Sequence, residues 1–197
     1  MGRIDAITIN HEDMKIAIFC SANQDIDPDF FGLTEELGKW IATQGHALVF
    51  GGANLGLMEC VAKAVFEAGG QTIGIVPSLL LDGEAVSEYT QVVIPCDNLS
   101  DRKDIMLAQC DVVIALPGGI GTLDEVFTVA ASATIGYHHK RVILYNMKGF
   151  WDSLAGLLDD LSNKGMVRGR WQDYICVANT LEEINEALSL DKASQQT

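Results

Sequence analysis

Short, apolar, β-rich runs alternate with longer segments of helical period along the whole chain. No Pro/Gly/Ser-rich linker interrupts them, and the two richest glycine strings each fall between an apolar run and the helical segment after it. These three observations predict one α/β domain, doubly wound and Rossmann-like, with helices on both faces of a mostly parallel sheet of about seven strands.

In chain order, a strand is predicted at Lys15–Cys20 and a helix at about Pro28–Thr43. The run ending in LVF gives a strand at His46–Phe50, followed by a helix at Leu55–Ala68. Strands at Thr72–Val76 and Gln91–Pro95 precede a helix at Leu99–Gln109. VVIAL lies in the strand Asp111–Leu116, with a helix at Leu123–Ile135 after it. RVILY is the strand Arg141–Tyr145, then come a helix at Trp151–Asn163, a strand at Tyr174–Val177 and a helix at Leu181–Leu188. Residues 1–14 are expected to be an N-terminal extension, 15–190 the nucleotide-binding domain and 191–197 a frayed tail.

With 197 residues, 48% of them hydrophobic, the chain can bury one sizeable core. Its 13 Lys+Arg against 27 Asp+Glu leave a formal charge of -14, a field that repels nucleic acid and anionic membranes. A small anion can still bind where a helix N-terminus and a few placed cations reverse that field inside one cleft. Cys20, Cys60, Cys96, Cys110 and Cys176 contain no C-x-x-C pair and read as free thiols of a reducing compartment. No apolar run has the length of a membrane span or the form of a signal peptide, so the expected location is the cytoplasm. His138 and His139 have no companions at metal-ligand spacing, and no metal or cofactor is expected.

Ligands of open parallel sheets bind at the carboxyl ends of the strands, so the loops there hold the chemistry. Gly51-Gly52-Ala53-Asn54-Leu55-Gly56 and Pro117-Gly118-Gly119-Ile120-Gly121-Thr122 each join a strand to a helix. Either is a tight turn or a phosphate cradle, since glycine admits close backbone approach and the helix aims free N–H groups at the loop. Neither carries the Gly-Lys-Ser/Thr of a P-loop or the G-x-G-x-x-G of a dinucleotide site.

Thr122-Leu123-Asp124-Glu125 fits two descriptions. It is the S/T-x-x-E capping box of a helix N-terminus. Equally, a carboxylate one turn into a helix that holds a phosphate would lie near the sugar of a bound nucleotide. Arg102-Lys103 sits in the first turn of a helix, where the dipole disfavours cations. It is either a solvated pair neutralised by Asp101 and Asp104 or one that awaits an anion. The acidic loop of Asp82, Glu84 and Glu88 reads first as solvated surface.

Together, GGANLGLM at residues 51–58, Arg102-Lys103 with Met106, and PGGIGTLDE at residues 117–125 resemble the "Lonely guy" family of cytokinin-activating phosphoribohydrolases. The resemblance implies hydrolysis of an N6-modified adenosine 5'-monophosphate to the free base and ribose 5-phosphate. It assigns catalysis to Arg102 and Glu125. Substrate contacts fall to Glu84, Arg102, Lys103, Gly118, Gly119, Ile120, Gly121, Thr122, Leu123, Asp124 and Glu125. It also implies a homodimer with an AMP-like small-molecule substrate. In that chemistry Glu125, held ionised by the helix dipole, would support the oxocarbenium-like ribose. The competing class is a nucleotide carrier that binds without catalysis, or a broad purine-nucleotide nucleosidase.

Overall fold

The computed structural model describes residues 13–81 and 85–195, with side chains up to residue 189. Glu84 and most of the expected N-terminal extension lie outside the described residues. The elements are β1 (Lys15–Phe19), α1 (Asp29–Thr43), β2 (Ala47–Phe50), α2 (Gly56–Glu67), β3 (Gln71–Pro77), β4 (Val92–Cys96) and α3 (Leu99–Gln109). They continue with β5 (Val112–Ala115), α4 (Ile120–Thr134), β6 (Val142–Tyr145), α5 (Asp152–Asn163), β7 (Ile175–Ala178) and α6 (Leu181–Gln195).

The seven strands form one sheet of order β4-β3-β2-β1-β5-β6-β7, and every neighbouring pair in it is parallel. Successive strand residues point to opposite faces, and here both faces are apolar. Ile16, Ile18, Leu48, Phe50 and Ile114 pack with Leu37 and Ile41 of α1, Val61 of α2 and Ile184 of α6. Ala17, Phe19, Val49, Ile75 and Val113 pack on the other face with Met106 of α3, Val126 of α4 and Leu158 of α5. The two helices with the charged motifs, α3 and α4, thus share one face. Strand order reverses between β1 and β5, which opens a crevice at their carboxyl ends.

Two helices depart from the expected bounds by more than one residue. α6 runs on to Gln195, so residues 191–195 continue a helix where a frayed tail was expected. α4 begins at Ile120 instead of Leu123, directly off the strand through Gly118 and Gly119. The early start is possible because Gly118 leaves room for the side chain of Thr122: a Cβ there would stand 2.1 Å from Thr122 Oγ1. Thr122 is accordingly buried in the first turn, only 3% exposed, and is not the residue before the helix. The capping-box reading of Thr122 and Glu125 is therefore overturned.

Candidate active site

Three helix starts border the crevice, and their amides meet different fates. The first four N–H groups of any helix lack an intrahelical acceptor and need one elsewhere. α3 is closed by its own residues: Asn98 Oδ1 accepts from the amides of Ser100 at 2.9 Å and Asp101 at 3.1 Å, and Asp101 accepts from Asp97 N at 2.8 Å. The start of α2 is tied to the loop after β1, because Leu57 N donates to Ser21 O at 2.9 Å. Gly56 allows that approach, with φ 56° and no Cβ to strike the Ser21 carbonyl. Ser21 N in turn donates to Pro117 O at 3.0 Å, so this one residue pins both glycine strings together.

α4 is different. Its preceding residue is Gly119, and no side chain caps it. The first amide to find a partner is that of Leu123, which donates to Gly119 O at 3.0 Å. Among the described residues nothing accepts from the amides of Ile120, Gly121 and Thr122. The two glycine strings therefore part ways. The first is a structural turn, with Asn54 N donating to Ala85 O at 3.0 Å. The second presents free donors and the positive end of a four-turn helix.

These donors open on a cleft of about 280 Å³, lined by the β1 end and its loop, Gly51, Met58, Arg102, Gly119, Gly121, Thr122 and Glu125. Arg102 and Glu125 thus face one space from adjacent helices. Arg102 Nε donates to Ile75 O at 3.2 Å, and among the described residues no carboxylate forms an ion pair with its guanidinium. Burial pushes the Glu125 carboxyl up to about 7, against the pull of the Arg102 guanidinium. Burial thus opposes the expected hold of the helix dipole on the ionised form, and at about 7 the carboxyl lies close to neutral pH. Cys20, behind them, is buried with its thiol pushed well above the usual range by burial and then by Glu125.

Other residues of the sequence reading lie elsewhere. Lys103 turns away from the cleft and forms an ion pair with Asp124 at 2.7 Å, with a further bond to Thr128 Oγ1 at 3.2 Å. The pair clasps α3 to α4, so of the two alternatives for Lys103, neutralisation by Asp101 or Asp104 does not hold and Asp124 takes that part. Ile120 is 88% exposed, and Leu123 packs against the core below α4. Neither of these, nor Gly118, lines the cleft. Reading the sequence missed the Asn98 cap, although Asn98 before Ser100 and Asp101 is a recognisable cap signal. It also missed Ser21, for which the local sequence offers no signal, because its partners are distant in the chain. Among the described residues no group of His, Cys, Asp or Glu could hold a metal ion, and no helix is long and apolar enough to cross a membrane.

A charge clasp of this kind sets a testable limit on Lys103. Partly exposed ion pairs contribute about 0–1 kcal/mol, so loosening this one should cost little. Lys103→Met and Asp124→Asn are each expected to lower turnover by less than about tenfold, and the double variant to be no worse than either single one. A KM increase confined to Lys103→Met would place the ammonium on the substrate.

A family model described as "Possible lysine decarboxylase" matches residues 58–188. A probable cytokinin riboside 5'-monophosphate phosphoribohydrolase of Oryza sativa subsp. japonica is 34% identical over 174 residues, 88% of this chain and 82% of that protein. The cytokinin riboside 5'-monophosphate phosphoribohydrolase of Mycobacterium tuberculosis is 32% identical over 171 residues, 87% and 91% of the two chains. Among solved structures, the molybdenum cofactor carrier protein of Chlamydomonas reinhardtii superposes with a TM-score of 0.68 at 26% identity, over 92% of this chain and 99% of that one. The molybdenum cofactor binding protein of Rippkaea orientalis gives 0.68 at 25% identity, over 91% and 97%. With relatives above 30% identity along most of their own length, and with its arginine and glutamate motifs meeting at one cleft, the chain belongs to the "Lonely guy" family, whose model bears the lysine decarboxylase description.

Proposed function

We propose that this protein hydrolyses the N-glycosidic bond of N6-modified adenosine 5'-monophosphates, releasing the free base and ribose 5-phosphate. The observation that carries the reading is the placing of Arg102 and Glu125 on one cleft beside the free amides of α4. The 5'-phosphate accepts from the amides of Gly119–Thr122 at the helix start. As the bond from C1' to N9 lengthens, positive charge grows on the ribose, and the carboxylate of Glu125 stabilises it and orients the attacking water. Arg102 holds substrate oxygens and offsets the charge of the anion. Water adds to C1' while the base departs with the bonding pair and takes up a proton.

The decarboxylase description finds no support in these side chains. That chemistry runs through pyridoxal phosphate on a Schiff-base lysine, whereas among the described residues no lysine lines the cleft and Lys103 is engaged by Asp124. The carrier reading has a specific basis, since the carriers that superpose on this chain share its fold and an open helix start would hold any phosphate. A carrier, however, has no need for a carboxylate buried against its ligand. Incubation with AMP and with isopentenyladenosine monophosphate, followed by chromatography for free base, distinguishes hydrolase from carrier; base release from the second alone assigns the N6 preference.

If phosphate binding orients the sugar, isopentenyladenosine should be a poor substrate in kcat as well as KM beside its 5'-monophosphate, because remote binding energy serves the chemical step. Comparable kcat/KM values for the two would remove the phosphate from the α4 amides. We further propose a homodimer in the cytoplasm. Exposed Ile120 and Phe127 on α4, with Ile135 directly after it, offer the apolar surface for association, and sizing by light scattering reads the mass directly. Five free thiols suit a reducing compartment. Glu84, from the loop outside the described residues, is proposed as a further substrate contact.

A further inference from the structure

The leading residue of the first glycine string is enclosed where a side chain would have to go. A Cβ on Gly51 would stand 1.5 Å from Arg102 Nη2, 2.8 Å from Arg102 Cζ and 3.1 Å from Met58 Sδ. The backbone does not demand glycine there, since the left-handed residues of this turn are Gly52 and Gly56. Space alone demands it, and the atom that claims the space is the guanidinium of Arg102. By contrast, a Cβ on Gly52 would meet Val76 Cγ2 at 2.4 Å, a core contact with no tie to the cleft.

We propose that Gly51 is a positioning residue for Arg102: its bare Cα forms the floor on which the guanidinium lies, and the Ile75 carbonyl fixes the inner edge. The inference rests on the functional reading above for its catalytic consequence, though not for its geometry. An arginine side chain is flexible and has considerable rotamer entropy, so it is aimed only where its surroundings leave one place for it. Here the bond from Nε to Ile75 O sets the end of the stem, and the absent side chain of Gly51 admits the planar head. Any larger residue at position 51 must drive the guanidinium aside by more than an ångström. Since the obstructing atoms are the far end of a mobile side chain, the fold yields easily. Catalysis does not, because a displacement of about 1 Å in a positioned group can cost about 10²-fold.

The test is Gly51→Ala, with Gly52→Ala as the comparison and Arg102→Ala as the background. Gly51→Ala is expected to lower kcat on isopentenyladenosine monophosphate by about 10²-fold while melting within a few degrees of the parent. Gly52→Ala, strained at φ 73°, should lose melting temperature instead. In the Arg102→Ala background the added methyl meets only the flexible Met58 Sδ, at 3.1 Å, so kcat should change by less than about twofold. An undiminished kcat in Gly51→Ala, or losses that multiply in the double variant, would overturn the proposal. Should Gly51→Ala fail to fold, the double variant must fold, and its failure too would count against the seat. A crystal structure of Gly51→Ala separates this inference from the functional one. Arg102 left in place against Ile75 O sinks the seat whatever the substrate, whereas a parent protein that releases no base leaves a displaced Arg102 still to be seen.

Discussion

Glu125→Gln is expected to abolish release of the base, with turnover at least about 10³-fold below the parent, while the protein still folds and binds AMP. The amide keeps the shape of the side chain but can neither carry the negative charge that the oxocarbenium-like ribose needs nor accept a proton from water. Because α4 starts at Ile120 and Glu125 lies a full turn inside it, the substitution removes no cap. Turnover near the parent value would leave Glu125 without a catalytic part. The raised pKa adds a signature in pH. With the carboxyl at about 7 and its ionised form active, kcat/KM should rise about tenfold per unit below pH 7 and level off above it. Stability should run the other way. A carboxyl raised from 4.5 to about 7 in the folded state contributes stability below pH 4.5 that is lost as pH rises through 7. Glu125→Gln escapes that loss, and thermal melts at pH 8 should find it more stable than the parent.

Arg102→Ala should lower kcat/KM by at least about 10²-fold, equivalent to about 2.7 kcal/mol of transition-state stabilisation. The guanidinium is not held in an ion pair by any described carboxylate, so its charge remains available to the ligand. Its loss should also be visible in Glu125. Arg102 pulls that carboxyl down against burial, so without it the rising limb of the pH profile should move to higher pH. A variant with the same fall in rate but an unmoved profile would show that the two side chains act independently. A fall no larger than that of Lys103→Met would reduce Arg102 to surface charge.

The sheet and its helices were legible in the sequence because burial on both faces leaves continuous apolar runs, and amphipathic helices leave a period. KIAIF and VVIA are strands for that reason, and the topology then places the loops after them at the crevice. Arg102, Glu125 and the second glycine string were found through their motifs, and they do face a common space. What could not be read were relations between distant segments. The start of α4 depends on whether Thr122 fits against Gly118, and spacing alone favours the capping box. Lys103 looks like half of a cationic pair until α4 brings Asp124 beside it. The ionisation of Glu125 is a balance of burial against a helix end and one arginine, and no local pattern records burial of a polar atom.

The uncapped start of α4 ties secondary structure to chemistry. A bound phosphate would finish that helix as a serine or asparagine finishes others, so ligand occupancy and local folding become a single linked equilibrium. Each tenfold excess of ligand over its dissociation constant adds about 1.4 kcal/mol to the native state, felt first by the turn that carries Thr122 and Glu125. On the proposed function the nucleotide would be both what is cut and part of what holds the cutting residues still, and after the base leaves, ribose 5-phosphate would keep the same hold until it departs.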